Sequence, residues 1–331
     1  MSMSAAGPND SQRAWASYWE SGALHSLPGT YEGNYGGAIG RYWQTCLGGL
    51  NEPCHILDLA TGNGPLPACL LTVNPCAHVH CTAVDLSPIA PAWWQDLPPD
   101  RRVRVRFAGQ VDIGRLPLDD HAFDLVISQF GLEYGPRQQA CGELARVLRP
   151  GGQTRLICHH SDSFLLQQAR HERSHIAWIL TDSGWFAAAR DMLEPLSLSA
   201  SAQGRAAMAG SARYAAIRER YSKVLQAAEA RVHSSLCPDV LGEAGEAFAQ
   251  CLRYAVEEGV QAGAQALARF EQTLRMSDQR LASMQSSALD ETAAHQLLAL
   301  LAASGVDARI QEFHDPWGLM GWLIEGKKTG A

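Results

Sequence analysis

A chain of 331 residues can bury a substantial core, as one large domain or a domain with an elaboration. Its 46% hydrophobic and 18% charged content is that of a globular protein in water, and a net charge of −7 offers no positive field to nucleic acid or an anionic membrane. Nine cysteines, no leader-like segment ahead of Trp15 and no apolar run of the ~18–20 residues that span a bilayer lead us to expect free thiols in a cytoplasmic protein.

Residues 1–12 are small and polar and are expected to be disordered. From Trp15 to Trp43 aromatics alternate with glycines, which predicts a helix on the core, a loop and a second helix. His55 to Leu59 is then a short apolar run closed by Thr61, Gly62, Asn63 and Gly64, and an apolar segment at helical spacing follows. This is a strand, tight loop and helix. Gly62 and Gly64 let the backbone approach a ligand that a β-carbon would push away. A dinucleotide fingerprint would want a third glycine at position 67, where this chain has Pro67. Pro65 and Pro67 fall in the first helical turn, whose N–H groups lack partners in any case.

Cys76, His78, His80 and Cys81 could all bind zinc, but the segment enters a strand that ends at Asp85. Alternation then puts Cys81 on the face opposite the two histidines, and a core strand is expected rather than a metal site. Arg101 to Phe107, RRVRVRF, reads as an edge strand whose outward charges block pairing. Phe123 to Ser128 is a strand opening into Gln129 to Gly135, Gln139 to Leu148 a helix, and Thr154 to Cys158 a strand leading to His159 and His160. His171, Glu172 and His175 match a zinc-protease spacing without an evident third ligand, and are read as a polar helix face. Helices are expected over 163–180, 184–194, 203–232 and 238–285, with breaks at Gly184, Pro195 and Pro238. Thr292 to Ser304 forms a last helix, and Arg309 to Phe313 with Gly321 to Glu325 a closing antiparallel pair.

Asp58 to Gly64, DLATGNG, resembles the first motif of the class I S-adenosylmethionine-dependent methyltransferases. Four later segments fall in that family's order: Ala83 to Pro88, Asp112 to Pro117, Phe123 to Ser128 and Leu148 to Gly152. The resemblance covers residues 50–160. It implies an α/β, Rossmann-like, seven-stranded, mostly parallel sheet with helices on both faces. The expected domains are a core of 13–160 and 289–331 with an N-terminal aromatic-rich cap, and a large helical insertion, 161–288, acting as lid, homodimer interface or both.

The resemblance also implies methyl transfer from S-adenosylmethionine, releasing S-adenosylhomocysteine, to a small organic acceptor, with no metal. Asp58, Ala60, Gly62, Asn63 and Gly64 would hold the cofactor, with Asp85 on the ribose hydroxyls and Leu86 beside it. Asp112 and the Ile113 N–H would take the adenine, and Gln129 would complete the site. Tyr18, Tyr31, Tyr35 and Phe130 are candidate pocket residues, since an aromatic face can hold a sulfonium. Glu133, His159 or His160 would handle a proton, at most one of the adjacent histidines pointing inward. No Asn or Asp precedes Pro-Pro and an aromatic residue after the fourth strand, as base-amino methylation would need. Protein or RNA methylation and cofactor binding without catalysis remain as rival readings.

Overall fold

The computed structural model describes residues 8–27 and 30–330. They divide into two compact units: the chain up to Gln167 with Ser283 onward, and Gln168–Ala282. Helix α1 (Pro8–Glu20) begins inside the stretch expected to be disordered, with Asp10 in its first turn, where the helix dipole favours a carboxylate. Residues 1–7 of that stretch lie outside the described residues. Helix α2 (Gly37–Gly48) buries Ile39, Trp43 and Leu47 along one stripe. Then follow β1 (Cys54–Leu59), α3 (Pro65–Val73), β2 (Val79–Val84), the short turns α4 (Ala92–Gln95) and α5 (Pro99–Arg102), β3 (Val105–Ala108), β4 (Phe123–Gln129), α6 (Arg137–Val147) and β5 (Leu148–Cys158). Six helices come next: α7 (Phe164–Ala177), α8 (Trp185–Ser199), α9 (Ala202–Met208), α10 (Ala212–Ser234), α11 (Asp239–Glu257) and α12 (Val260–Ser287). The chain closes with α13 (Glu291–Ala303), β6 (Val306–Asp315) and β7 (Gly318–Lys328).

The seven strands form one sheet in the order β3-β2-β1-β4-β5-β7-β6. Neighbouring strands from β3 to β5 are parallel, and β7 runs antiparallel to both β5 and β6. The expected Rossmann-like sheet with a reversed final strand is therefore present. Leu57, Leu59, Val126, Leu156 and Ile324 meet Ala140 and Leu144 of α6 and Leu297 and Leu301 of α13 in one buried cluster. Strand order reverses between β1 and β4, and in such sheets the crevice beyond the carboxyl ends of those two strands is where ligands bind.

The run Arg101 to Phe107 is not one strand. Pro98 and Pro99 start a helical turn that carries Arg101 and Arg102, and only Val105–Ala108 pairs, at the sheet edge. Arg104 is buried, and its guanidinium donates to the Val79 and Asn74 carbonyls.

The second unit is helical, as expected, but its breaks differ. Pro195 lies inside α8 and is buried there, costing one helical hydrogen bond rather than ending the helix. Gly210 and Gly259, with φ of 75° and 95°, divide the helices expected over 203–232 and 238–285. Trp185, Phe186, Phe248 and Phe270 make its aromatic core, the Trp185 and Phe248 rings stacked at 4.5 Å. His175 accepts from Arg231 Nε at Nδ1 and bonds Ser235 Oγ through Nε2, so this histidine serves the packing of the helices. Among the described residues no group of three or more His, Cys, Asp or Glu side chains could hold a metal ion. None of their helices is long and apolar enough to cross a membrane.

Asn74 ties α2 to the approach of β2. Its Nδ2 donates to the Leu47 and Leu50 carbonyls, each at 2.8 Å, and its Oδ1 accepts the Cys76 N–H at 2.9 Å. Replacing it with alanine strands buried backbone groups, so Asn74→Ala should cost about 2 kcal/mol or more in urea unfolding. An unchanged midpoint would contradict this role.

Candidate active site

The loop after β1 is built by backbone geometry. Ala60 has φ 54°, a left-handed conformation that costs a residue with a β-carbon about 1–2 kcal/mol. Gly62 and Gly64 follow at φ 56° and 78°. The Thr61 N–H bonds the Val84 carbonyl at 2.9 Å, and the Gly62 N–H bonds Asp85 Oδ2 at 2.7 Å. Asp85 Oδ1 accepts the Ser87 N–H at 2.8 Å. Each oxygen keeps further acceptor capacity. The glycine loop is thereby fastened to the end of β2.

Two carboxyl groups are enclosed here. Burial raises the pKa of Asp85, and its N–H bonds to Ser87 and Gly62 oppose the rise. Asp58 is 1% exposed; burial, with a smaller push from Asp85, raises it to about 8 against the hydrogen bond it accepts from Thr61 Oγ1. Beyond Asp85, Leu86 is 46% exposed. Asp112 is also exposed, with Oδ1 accepting the Gly114 N–H at 2.8 Å, and the adjacent Ile113 is buried.

At the end of β4, Gln129 is 7% exposed. It lies on the face of Asp58, whose register partner Ile127 is two residues earlier. The Trp43 indole donates to Gln129 Oε1 at 2.5 Å, which fixes the amide and leaves Nε2 buried with no hydrogen-bond partner among the described residues. Phe130, at φ 53°, lays its ring flat on His159, the centroids 4.1 Å apart. Glu133 sits in the turn Leu132–Tyr134 and is 3% exposed. Its Oε1 accepts the His159 N–H at 2.7 Å. Burial raises Glu133 to about 7, opposed by that N–H, by Glu133's own N–H and, less, by the Cys158 thiol. His160 takes different partners: it stacks on Trp322 at 4.4 Å, and its Nδ1 accepts the Asp162 N–H.

The tyrosines gather around His25, and Tyr18 also meets Trp15 and Trp19 edge-on at 5.8 and 5.0 Å. Tyr35 is buried, stacks on His25 at 4.7 Å and shares a hydrogen bond with Ser26. Tyr18 Oη donates to the His25 carbonyl, and Tyr31 stacks on Trp317 at 6.0 Å. Tryptophans, rather than these tyrosines, meet the glycine loop. Trp19 lies against Gly62, and Trp93 with Phe107 against Gly64. Trp93 Nε1 also donates to the Asn63 carbonyl at 2.7 Å. The available signal was the i, i+4 spacing of Trp15 and Trp19 within the aromatic run, which puts both on one helix face.

Residues 56–152 match a family model described as a methyltransferase domain. Over 101 residues the chain is 41% identical to a demethylmenaquinone methyltransferase of Thermus thermophilus, covering 30% of this chain and 44% of that one. Over 121 residues it is 32% identical to a ubiquinone/menaquinone biosynthesis C-methyltransferase of Stutzerimonas stutzeri, covering 35% and 47%. The match thus spans less than half the length of either relative. The solved structure of a 1,6-didemethyltoxoflavin-N1-methyltransferase from Burkholderia thailandensis is similar at 23% identity and a TM-score of 0.37, over 49% of this chain and 69% of that one.

The raised pKa of Glu133 has a consequence for stability. Between its ordinary value of 4.5 and its folded value of about 7, the folded chain holds a proton that the unfolded chain has released. Its contribution is complete below that window and is lost as pH rises through it. Glu133→Gln should flatten the fall of unfolding free energy between pH 5 and 7, measured in urea. An equal slope in both proteins would place the proton elsewhere.

Proposed function

We propose, since the core of this chain is that of a class I S-adenosylmethionine-dependent methyltransferase, that the protein methylates a small, planar organic acceptor whose reacting group first loses a proton. The observation that carries this reading is the bond from the Gly62 N–H to Asp85 Oδ2, which joins the glycine loop after β1 to the acidic end of β2, next to the switch point between β1 and β4. The residues present fit the nucleoside. Asp85 retains lone pairs for two ribose hydroxyls, exposed Leu86 offers an apolar face to a base, and Asp112 Oδ2 can accept from an amino group. The buried Gln129 amide nitrogen is a donor still to be matched, and the cofactor's carboxylate or an acceptor oxygen would satisfy it.

The cofactor supplies an electrophilic methyl on sulfur, open to in-line attack by an acceptor lone pair. The chain's own part is to hold the acceptor and manage its proton. Glu133 has one oxygen committed to the His159 N–H and a pKa near neutrality, so Oε2 is suited to take a proton from an acceptor hydroxyl. Removing that proton makes an oxygen, or a ring carbon conjugated with it, nucleophilic. The flat Phe130 and His159 pair favours a planar ring, and two relatives are named for methylation in quinone biosynthesis. A phenol or quinol is accordingly the acceptor class we favour.

Incubation of cell extract with methyl-labelled S-adenosylmethionine tests the reading. Label should enter the solvent-extractable fraction; label in acid-precipitated protein or RNA would contradict a small acceptor. With an acceptor in hand, Glu133→Gln should lower kcat by about 100-fold or more and abolish its rise with pH near 7. Retained kcat would remove Glu133 from the chemistry.

A further inference from the structure

The stretch Cys76 to Cys81 enters β2 at its amino end, whereas the candidate active site lies beyond the carboxyl ends of the strands. Eight of the nine cysteines are held as protonated thiols at neutral pH, because burial raises the pKa of each. The ninth, Cys76, is set apart by its neighbours. It is half-buried, in the turn between α3 and β2, where its carbonyl accepts the Val79 N–H at 3.2 Å and its own N–H bonds Asn74 Oδ1.

Arg104, the residue before β3, is 7% exposed and reaches into this turn. Its Nε donates to the Val79 carbonyl at 3.2 Å and its Nη1 to the Asn74 carbonyl at 2.9 Å. The two ends of the turn that carries Cys76 therefore close around one guanidinium. Arg101 Nη2 donates to the Leu71 carbonyl at 2.7 Å in the last turn of α3. Capping the carboxyl end of α3 explains Arg101 and the Nη1 of Arg104. It does not explain Arg104 Nη2, which is buried with no hydrogen-bond partner among the described residues. Burial lowers the pKa of Arg104; the Cys76 sulfur opposes that fall and the Arg101 guanidinium adds to it, so both lie within electrostatic reach. A buried cation with a donor unmatched favours an anion beside it, and Cys76 can supply one as a thiolate. Arg101 and Arg102 are exposed on the neighbouring turn α5 and extend the positive charge to the surface.

We infer that Cys76 is a site of reversible S-thiolation by an anionic disulfide, with Arg104 behind the sulfur and Arg101 and Arg102 on the carboxylates of the incoming group. The Cys76 thiol gives its proton to solvent and its sulfur attacks one sulfur of the disulfide. That S–S bond breaks as the new one forms, and the other half leaves as a thiolate. Cys76 is thereby oxidised and the departing half reduced. A thiol in excess reverses the exchange. The methyl-transfer reading is not needed for this step, and either can fail alone.

The test uses the reduced full-length chain with two probes, oxidised glutathione, which is anionic, and cystamine, which is dicationic. Each rate is divided by that of the same probe with N-acetylcysteine amide, and mass spectrometry of proteolytic fragments locates the adduct. The first adduct should sit on Cys76, disappear with dithiothreitol and be absent from Cys76→Ser. Its normalised rate should be about tenfold higher with oxidised glutathione than with cystamine. The surface pair Arg101→Gln and Arg102→Gln, made together, should cut the glutathione rate about fivefold and leave the cystamine rate no lower. A first adduct on another cysteine, equal normalised rates for the two probes, or no adduct while the reference thiol reacts would each overturn the assignment.

Discussion

One hydrogen bond, from the Gly62 N–H to Asp85 Oδ2, sets the rest of the site. It joins the loop after β1 to the carboxylate after β2, and the Val111 N–H to the Asp85 carbonyl at 2.9 Å draws the next loop to the same point. Three connections that are distant in sequence are thus pinned at the carboxyl end of the sheet. Ala60 can be held in its left-handed conformation because the hydrogen bonds on either side of it over-determine the turn.

The second constraint is electrostatic. Asp58, Asp85 and Glu133 are all buried, and burial raises the pKa of each. A cation beside a buried carboxyl lowers the cost of ionising it, so each of these groups would favour positive charge nearby. Burial pushes Asp58 up to about 8, and a sulfonium or ammonium group nearby would draw its pKa back down. The Asp58 carboxyl and the Gln129 amide share one sheet face, placing a titratable group and an unmatched donor side by side.

Much of this was legible along the chain. The strand, loop and helix at 54–73, the acidic end of β2 and the closing antiparallel pair carry local signals of apolar runs, glycines and turn residues. An aromatic-rich cap ahead of β1 was expected, but which of its rings meets Gly62 carries no local signal, because it depends on how a separate helix docks. Singling out tyrosines over tryptophans therefore missed Trp19. The RRVRVRF run misled by its alternation, since Pro98 and Pro99 had already committed its first half to a helical turn. Gly210 and Gly259 look like tolerated glycines in a helical pattern until their positive φ shows that they end helices. Of the two adjacent histidines, only the structure shows that His159 faces Phe130 while His160 faces Trp322.

The central claim is that the glycine loop and Asp85 together hold an adenosyl cofactor. Calorimetric titration of S-adenosylhomocysteine into wild type and Asp85→Ala tests it most directly. The account predicts micromolar binding by the wild type, weakened about tenfold or more, or about 1.4 kcal/mol, by the substitution. Absence of binding by folded wild-type protein, or equal affinity in the two, would contradict it.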